Sequence, residues 1–302
     1  MKKILILSLL ISSSIFAFAQ VPASPPVKKK IPKRDGYAIK QESVADTVVP
    51  YAEVKDEDIV YRKRIWRDID LRDQGNEILA SPKVNFVNII YQAIKNGELD
   101  LYGETDESFD NDPISSKSTA AGANTSYSAA DTAFLGVNAA TNELNTAGPE
   151  FFKDRFIAIR LKEDWILDIK RGIFEPRIVG LALVRLQTSH RLDQNGNALM
   201  DSITNKVKVD TLGTPTVGWL YFDDLRHILV KAKIANNQND NSGINFDDVF
   251  VRRLFFSNIV KVSSSGDERL KDIFANSTKD QLLESERIKK AMADFEQGLW
   301  EY

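Results

Sequence analysis

Residues 56–76 form the densest block of charge and large apolar side chains in the chain, and this block limits what the rest can fold into. Its apolar side chains recur at spacings that place them on one side of a helix: Ile59, Ile65, Trp66 and Ile69. Basic and acidic side chains cover the other sides, and a glycine followed by an asparagine ends the block, as at many helix ends. The pattern predicts an amphipathic helix that buries Trp66 in an apolar seam and exposes its charges to solvent or to a partner.

Residues 1–19 have the pattern of a secretory signal peptide rather than of an uncleaved anchor. Two lysines precede a short, serine-containing apolar stretch, and Ala17, Phe18 and Ala19 form a small-x-small cleavage site. The chain has no cysteine, which excludes disulfides, thiolate metal sites, a cysteine nucleophile and a lipid-modified cysteine. We therefore expect an exported protein without an anchor of its own, which in a bacterium is periplasmic.

Residues 20–50 are linker-like, because they are rich in proline and lysine and poor in large apolar side chains. Two interpretations remain open: a disordered spacer, which the composition favours, and a basic arm that orders against an acidic partner. The whole chain carries 40 basic and 43 acidic residues. This near balance gives no indication of nucleic acid as a partner.

The sequence pattern over residues 51–302 predicts one α+β region, with a mixed or antiparallel sheet flanked by amphipathic helices. The predicted helices and strands follow from hydrophobic period and turn signals, and residues 246–262 are helical or mixed. We predict helices over 84–96, 224–235 and 270–302, and strands over 156–161, 177–186 and 218–222. Residues 103–150 interrupt this region. They are acidic and rich in small side chains, which predicts a long mobile insertion with at most a weak helix over 131–137.

Asn195 and Gly196 predict a hairpin turn that pairs residues 181–191 with 202–209. The same turn explains a stretch that imitates the start of a calcium loop, because Ala198 and Thr204 stand where such a loop needs glycine and an acid. The two histidines have no ligand spacing around them. We therefore predict neither a metal site nor a cofactor.

No catalytic motif of the common hydrolases is present. Three adjacent acid pairs, 163–164, 223–224 and 247–248, would suit acid–base chemistry on a glycan. Adjacent carboxylates are more often exposed or at helix N-termini, as we expect for 247–248. The prediction is a protein that is not an enzyme, and the alternative is a periplasmic glycan-binding or glycan-cleaving enzyme.

Residues 58–69 align without gaps with residues 248–259, either by chance or through a duplication. Both segments combine aromatic side chains with arginine, a combination that suits protein interfaces. The candidate partner-binding residues are Arg62, Arg64, Arg67, Arg252 and Arg253. Reversal of charge at Arg64 and Arg67 is expected to leave the fold intact and to weaken assembly.

Five segments are distinctive when taken together: RIWRDIDLRDQGN (64–76), KEDWILD (162–168), RIVGLA (177–182), LYFDDLR (220–226) and FDDVFVRRLFFSNIVK (246–261). They resemble the GldN/PorN family of the Bacteroidetes type IX secretion and gliding machinery. The matches occur in order between about residues 59 and 261, whereas residues 103–150 have no counterpart in the family pattern.

The resemblance implies a structural subunit of the secretion and gliding apparatus. Such a subunit would form a large periplasmic ring from copies of itself and a GldK/PorK-like outer-membrane lipoprotein, through which it associates with the outer membrane. It would also contact the periplasmic part of a GldM/PorM-like motor protein.

Overall fold

The computed structural model describes residues 47–81, 84–103, 127–137, 142–144, 155–191, 199–200, 208–234 and 244–299. The predicted signal peptide, most of the proline-rich segment, the Asn195-Gly196 turn and the calcium-like loop lie outside these residues. The predicted helix over 84–96 is confirmed, since residues Phe86–Lys95 are helical.

The described strands are β1 (Ile59–Asp70), β2 (Phe156–Asp168), β3 (Ile173–Arg185), β4 (Gln187–His190), β5 (Val209–Gly213), β6 (Thr216–Tyr221) and β7 (Asn258–Val262). The described α-helices are α1 (Phe86–Lys95), α2 (Ala129–Leu135), α3 (Phe222–Leu229), α4 (Phe246–Val251), α5 (Leu270–Ile273) and α6 (Thr278–Gly298). Short 3-10 helices, Asp56–Asp58 and Gln74–Asn76, flank β1.

The main sheet is antiparallel throughout, with the strand order β6-β3-β2-β1-β7. This confirms the predicted α+β class. A separate two-stranded sheet joins β4 to β5, with Gln187 opposite Gly213 and His190 opposite Val209. The hairpin pairing predicted for residues 181–191 is therefore wrong for its first half, since Leu181 and its neighbours in β3 pair with β2 and β6 instead.

The predicted helix at residues 56–76 is wrong, because residues 59–70 form the strand β1. The spacing of the apolar side chains fits a helix, but the strand places charged side chains of β1 opposite charged partners in β2. Arg64 lies opposite Asp164 and Asp68 lies opposite Arg160 when β1 pairs with β2. Trp66 is buried, as predicted, at 2% exposure.

One face of the sheet is covered by helices that share an aromatic core. Phe86 of α1 lies 5.4 Å, between ring centroids, from both Phe246 and Phe250 of α4. Helix α1 begins where the Asn85 side chain accepts hydrogen bonds from two backbone N–H groups. It ends before Gly97, whose φ of 74° requires glycine-like freedom.

The mobile-insertion prediction is wrong for residues 127–137, which contain α2. Phe134 is 1% exposed, and its ring lies 5.3 Å from that of Tyr91 in α1. The Tyr91 hydroxyl donates to Asp131 at 2.6 Å. Burial and this carboxylate raise the pKa of Tyr91 to about 12. Helix α2 is thus part of the fold, and the remaining residues of 103–150, apart from 103 and 142–144, lie outside the described part.

Both outer edges of the main sheet are partly covered. Beside β6, Tyr102 forms an isolated bridge with Trp219. Beside β7, the Ile259 N–H donates to the Ser285 hydroxyl of α6 at 2.8 Å, and Lys261 bridges to Arg269. Among the described residues, no helix has the length and apolar character needed to cross a membrane.

Candidate functional site

The five candidate arginines do not share one surface. Side chains alternate between the two faces of a strand, so Arg62 and Arg64 leave β1 on one face and Arg67 leaves it on the other. Arg252 and Arg253 follow α4, in the turn that leads to β7. Arg62 and Arg252 are exposed, Arg64 and Arg253 are half-buried, and Arg67 is buried. The structure therefore separates exposed cations from cations used inside the fold.

Two forked ion pairs connect β1 to β2 on one face of the sheet. Arg64 Nε and Nη2 donate to the two carboxylate oxygens of Asp164 at 2.6 and 2.8 Å. Arg160 Nε and Nη2 donate in the same way to Asp68 at 2.7 and 2.9 Å. The hydrogen bond with Asp164 raises the pKa of Arg64, so its guanidinium stays charged. Because forked pairs are geometrically demanding, they fix the register of the two strands.

Trp66 lies between these two ion pairs along β1 and carries two lysines near its ring. Lys162 Nζ lies 5.8 Å from the ring centroid, and Lys261 Nζ lies 4.6 Å from it. Both lysines are almost fully buried, and Lys261 also pairs with Asp267 at 2.8 Å. Cation–π attraction is strongest where the cation is desolvated. Trp66 therefore joins β1 to its two neighbours β2 and β7, which is a structural role.

The opposite face of the sheet holds a buried carboxylate shared by two arginines. Arg253 Nη1 lies 2.9 Å from the fully buried carboxylate of Glu163, and Arg67 Nη1 lies 4.0 Å from it. Trp165 Nε1 donates to the same carboxylate at 3.2 Å. Burial lowers the pKa of Arg67, and the charge of Glu163 opposes that shift. A guanidinium stays protonated in proteins, so the cluster contains two cations and one anion.

These contacts contradict the expectation that Arg64 and Arg67 are ordinary solvated side chains, and reversal of their charges is instead expected to destabilise the fold. An exposed cation contributes little to stability, but a buried one leaves an uncompensated charge when its partner is lost. The two aligned segments also differ in structure. Residues 58–69 are nearly all strand, whereas residues 248–259 begin in α4 and reach β7 only at their end.

Arg253 reaches Glu163 from a left-handed backbone conformation, with φ at 58°. This conformation is uncommon for residues with a side chain and costs on the order of 1 kcal/mol. The guanidinium carbon lies 5.7 Å from the Trp165 ring centroid and 5.4 Å from that of Phe255. The ion pair and the two rings therefore hold the turn after α4 in place.

The side chains displayed by that turn are apolar and exposed. Val251, Leu254 and Phe256, together called the apolar turn below, keep 40%, 43% and 67% of their surface exposed. The Phe256 N–H donates to Asn76 Oδ1 at 2.8 Å, and Asn76 Nδ2 donates to the Phe256 carbonyl at 2.9 Å. The Phe256 ring lies against Gly75, where an added Cβ would come within 2.3 Å of it. Exposed apolar side chains on a well-anchored backbone are typical of interaction surfaces.

Sequence reasoning missed Glu163, Asn76 and Phe256 as parts of this arrangement. The available signal for Glu163 is its position between apolar stretches, because an acid that is buried there needs a cationic partner from elsewhere in the chain. Asn76 was interpreted as a helix stop, although its side chain joins the segment after β1 to the turn before β7.

The acid pairs do not form paired carboxylates facing one space. Glu163 and Asp164 leave β2 on opposite faces, and each is bound by arginine. Asp247 accepts from Arg226 at 2.8 and 3.0 Å, and Asp248 forms a capping box at the start of α4. The predicted helix N-terminus at 247–248 is therefore confirmed. Within the described part of the chain, no group of three or more potential metal-ligating side chains occurs.

A second arginine-aromatic arrangement attaches the end of the proline-rich segment to the fold. The ring of Tyr51 lies near two guanidinium groups. Its centroid is 5.5 Å from Arg177 Cζ and 5.1 Å from Arg226 Cζ. Arg226 Nη2 donates to the Val49 carbonyl, and Arg177 Nη2 donates to the Ala52 carbonyl, both at 2.6 Å. Burial raises the pKa of Tyr51. Val49, Tyr51 and Ala52 are therefore held against the fold by these two arginines.

The comparisons with known proteins give one family. The model of a family described as "Gliding motility associated protein GldN" matches residues 54–301, which include every described helix and strand. No curated protein matches the chain.

Proposed function

Because the chain belongs to the GldN family of gliding motility associated proteins, we propose that it is a non-enzymatic structural subunit of a type IX secretion and gliding apparatus. In this proposal the mature protein is periplasmic. It assembles with copies of itself and with a GldK/PorK-like outer-membrane lipoprotein into a ring, and it contacts the periplasmic part of a GldM/PorM-like motor protein.

The observation that carries the proposal is the family match itself, because it spans the sheet, its helices and the apolar turn. The family is one of gliding motility components and not a family of known enzymes. The sequence of residues 1–19 supports an exported protein. The exposed Arg62 and Arg252 and the apolar turn supply surface chemistry of the kind that protein interfaces use.

The alternative of a glycan-binding or glycan-cleaving enzyme receives no support from the acid pairs. A glycosidase needs two carboxylates that flank one bond at a fixed separation. Here the side chains of two of the three pairs are bound by arginine or used as a helix cap, and the third pair, Asp223 and Asp224, is exposed in the first turn of α3.

The test is affinity purification of the tagged full-length protein from a detergent-solubilised envelope, with the copurifying proteins identified by mass spectrometry. We expect a large particle that contains an outer-membrane lipoprotein and the motor protein. A monomer that copurifies with neither protein and that turns over peptidoglycan would contradict the proposal.

The same purification tests the exposed cations. Arg62→Glu combined with Arg252→Glu should weaken recovery of the partners without changing the melting temperature, since reversed charge at an interface disturbs recognition more than folding. Lys279→Glu combined with Lys290→Glu, on exposed positions of α6, is the matched control. Equal recovery from both double variants would show that these two arginines are ordinary solvated side chains.

A further inference from the structure

The end of β1 borders a cavity of about 280 Å³, whose lining includes the Asp68–Arg160 ion pair described above. The cavity lies between β1, β7 and the start of α6. Its lining combines arginine side chains with apolar ones, among them Arg72, Arg160, Arg269 and Leu282. Leu282 is 46% exposed, so an apolar side chain stands at the rim of the cavity.

The chemistry of the lining favours an aromatic occupant. The two acids in the lining, Asp68 and Asp70, already accept forked hydrogen bonds from Arg160 and Arg72. The carboxylates therefore do not need a cation from a ligand, while guanidinium planes remain good partners for the face of an aromatic ring. A cavity of about 150 Å³ suffices for a benzene ring, so this one has room for a phenyl group.

The apolar turn displays such a ring, and the residues around that ring are close in sequence to residues that line the cavity. Phe256 is two residues before Asn258, which lines the cavity, and its ring lies on Gly75, three residues after the lining residue Arg72. Among the described aromatic residues, Phe256 is the most exposed. Its backbone is fixed by Asn76, so little conformational freedom is lost when the ring enters a partner.

We propose that the apolar turn is a contact between copies of this chain, in which the Phe256 ring of one copy enters the arginine-lined cavity of the next. Every copy carries both the ring and the cavity, so the copies are complementary to one another. The contact rests on the proposed function, since it would supply the self-association of a ring subunit.

The experiment is sedimentation velocity on the purified mature chain over a range of concentrations, with no other protein present. Phe256→Asp should weaken self-association by at least about tenfold, because a charge replaces the inserted ring. Leu282→Asp, at the cavity rim, should weaken it as well. Ile169→Asp, at a residue that is 63% exposed on the β2–β3 turn, is the control and should associate like the wild type.

Mixing the two defective variants sharpens the test. A protein with Phe256→Asp keeps the cavity and one with Leu282→Asp keeps the ring, so their mixture should associate more strongly than either variant alone. Thermal melting of each variant checks that the fold is intact.

A wild-type chain that stays monomeric, or equal association of Phe256→Asp and Ile169→Asp, would overturn the contact. Envelope purification separates this outcome from failure of the proposed function. If Phe256→Asp abolishes recovery of the lipoprotein while the wild-type chain alone is monomeric, the subunit assignment stands and the turn binds that partner instead.

Discussion

Strand β1 and helix α6 are both rich in charge, yet they use it in opposite ways. The charges of β1 meet partners far away in sequence: Arg64 binds Asp164, and Arg67 lies beside the buried Glu163. The ion pairs of α6 join neighbours on one exposed helical surface, such as Glu284 with Arg287. Ser285 is the one fully buried residue of α6. Similar composition therefore produces a tightly specified core strand in one place and a solvated helix in the other.

The difference follows from dielectric environment and geometry. An exposed pair three residues apart on a helix is screened by water and contributes little. A pair that bridges two strands away from water attracts more strongly, and it is costly when one partner is removed. Charge content alone therefore does not identify an interaction surface. The ion pairs of β1 and α6 differ instead in sequence separation, since the partners are far apart in the chain for β1 and three residues apart for α6.

The largest expected effect is that of Arg67→Glu. The new carboxylate would face Glu163 in a buried site, and the like charges should destabilise the fold by more than about 5 kcal/mol. We expect the variant to lack a cooperative unfolding transition by near-UV circular dichroism. The control variant Lys290→Glu, at an exposed position of α6, should fold normally. If the Arg67→Glu protein also folded normally, the proposed difference between the buried charges of β1 and the exposed charges of α6 would be wrong.

Trp66→Ala should lower the free energy of unfolding by about 3–5 kcal/mol, because it deletes a buried ring on which two buried lysines depend. Phe295→Ala in α6 should cost about 1–2 kcal/mol, since its ring is 39% exposed and less area is lost. Urea unfolding of both variants measures the difference. Equal losses would indicate that α6 is as tightly packed as β1.

Asp164→Asn should destabilise by about 1–2 kcal/mol, because it replaces a forked, charge-assisted pair with Arg64 by a weaker neutral contact. Its effect should change little between low and moderate salt, since the pair is partly shielded from solvent. Unfolding curves at two salt concentrations check both points. A loss that disappears as salt is added would place this pair with the exposed pairs of α6.

Glu284→Gln should have the smallest effect, a shift in the melting temperature of less than about 2 °C. The hydrogen bond from Arg287 holds the pKa of Glu284 below its ordinary value. A depressed folded-state pKa gives stability that is present above the ordinary pKa and is lost as the pH falls through the depressed one. Acid titration by far-UV circular dichroism should therefore show only a small difference between this variant and the wild type at pH values below that range.

The sequence was sufficient for elements whose signals are local. Helix α1 has an asparagine cap, a clear apolar period and a glycine beyond its end, and all three act within a few residues. Strand β1 was misassigned because Ile59, Ile65, Trp66 and Ile69 suit a helical period, while the partners that require a strand lie about 100 or more residues away. Helix α2 was predicted as weak because the packing of Phe134 on Tyr91 does not appear in its own composition.

For the candidate site, too, local features could be predicted from the sequence and long-range contacts could not. The sequence pattern of arginine beside aromatic residues has a counterpart in the structure, where Arg253 lies beside the rings of Trp165 and Phe255. Glu163 binds the Arg253 and Arg67 side chains inside the fold, and Asn76 fixes the backbone of Phe256. Both residues act through tertiary contacts that no local pattern contains.

The position of β1 between β2 and β7 has a consequence for the order in which the chain folds. As the chain emerges from synthesis, β1 is complete long before β7, which begins at residue 258. Pairing over such distances is slow, because much of the chain must be ordered first. Ile65, Trp66 and Ile69 have no strand to pair with until β2 follows at residue 156, and in that interval they would invite pairing with other nascent chains. Strand β1 carries four basic and two acidic side chains, so two unpaired copies of it repel one another through their net positive charge. Arg64 and Asp68 of the same strand later form the ion pairs that fix the register of the finished sheet.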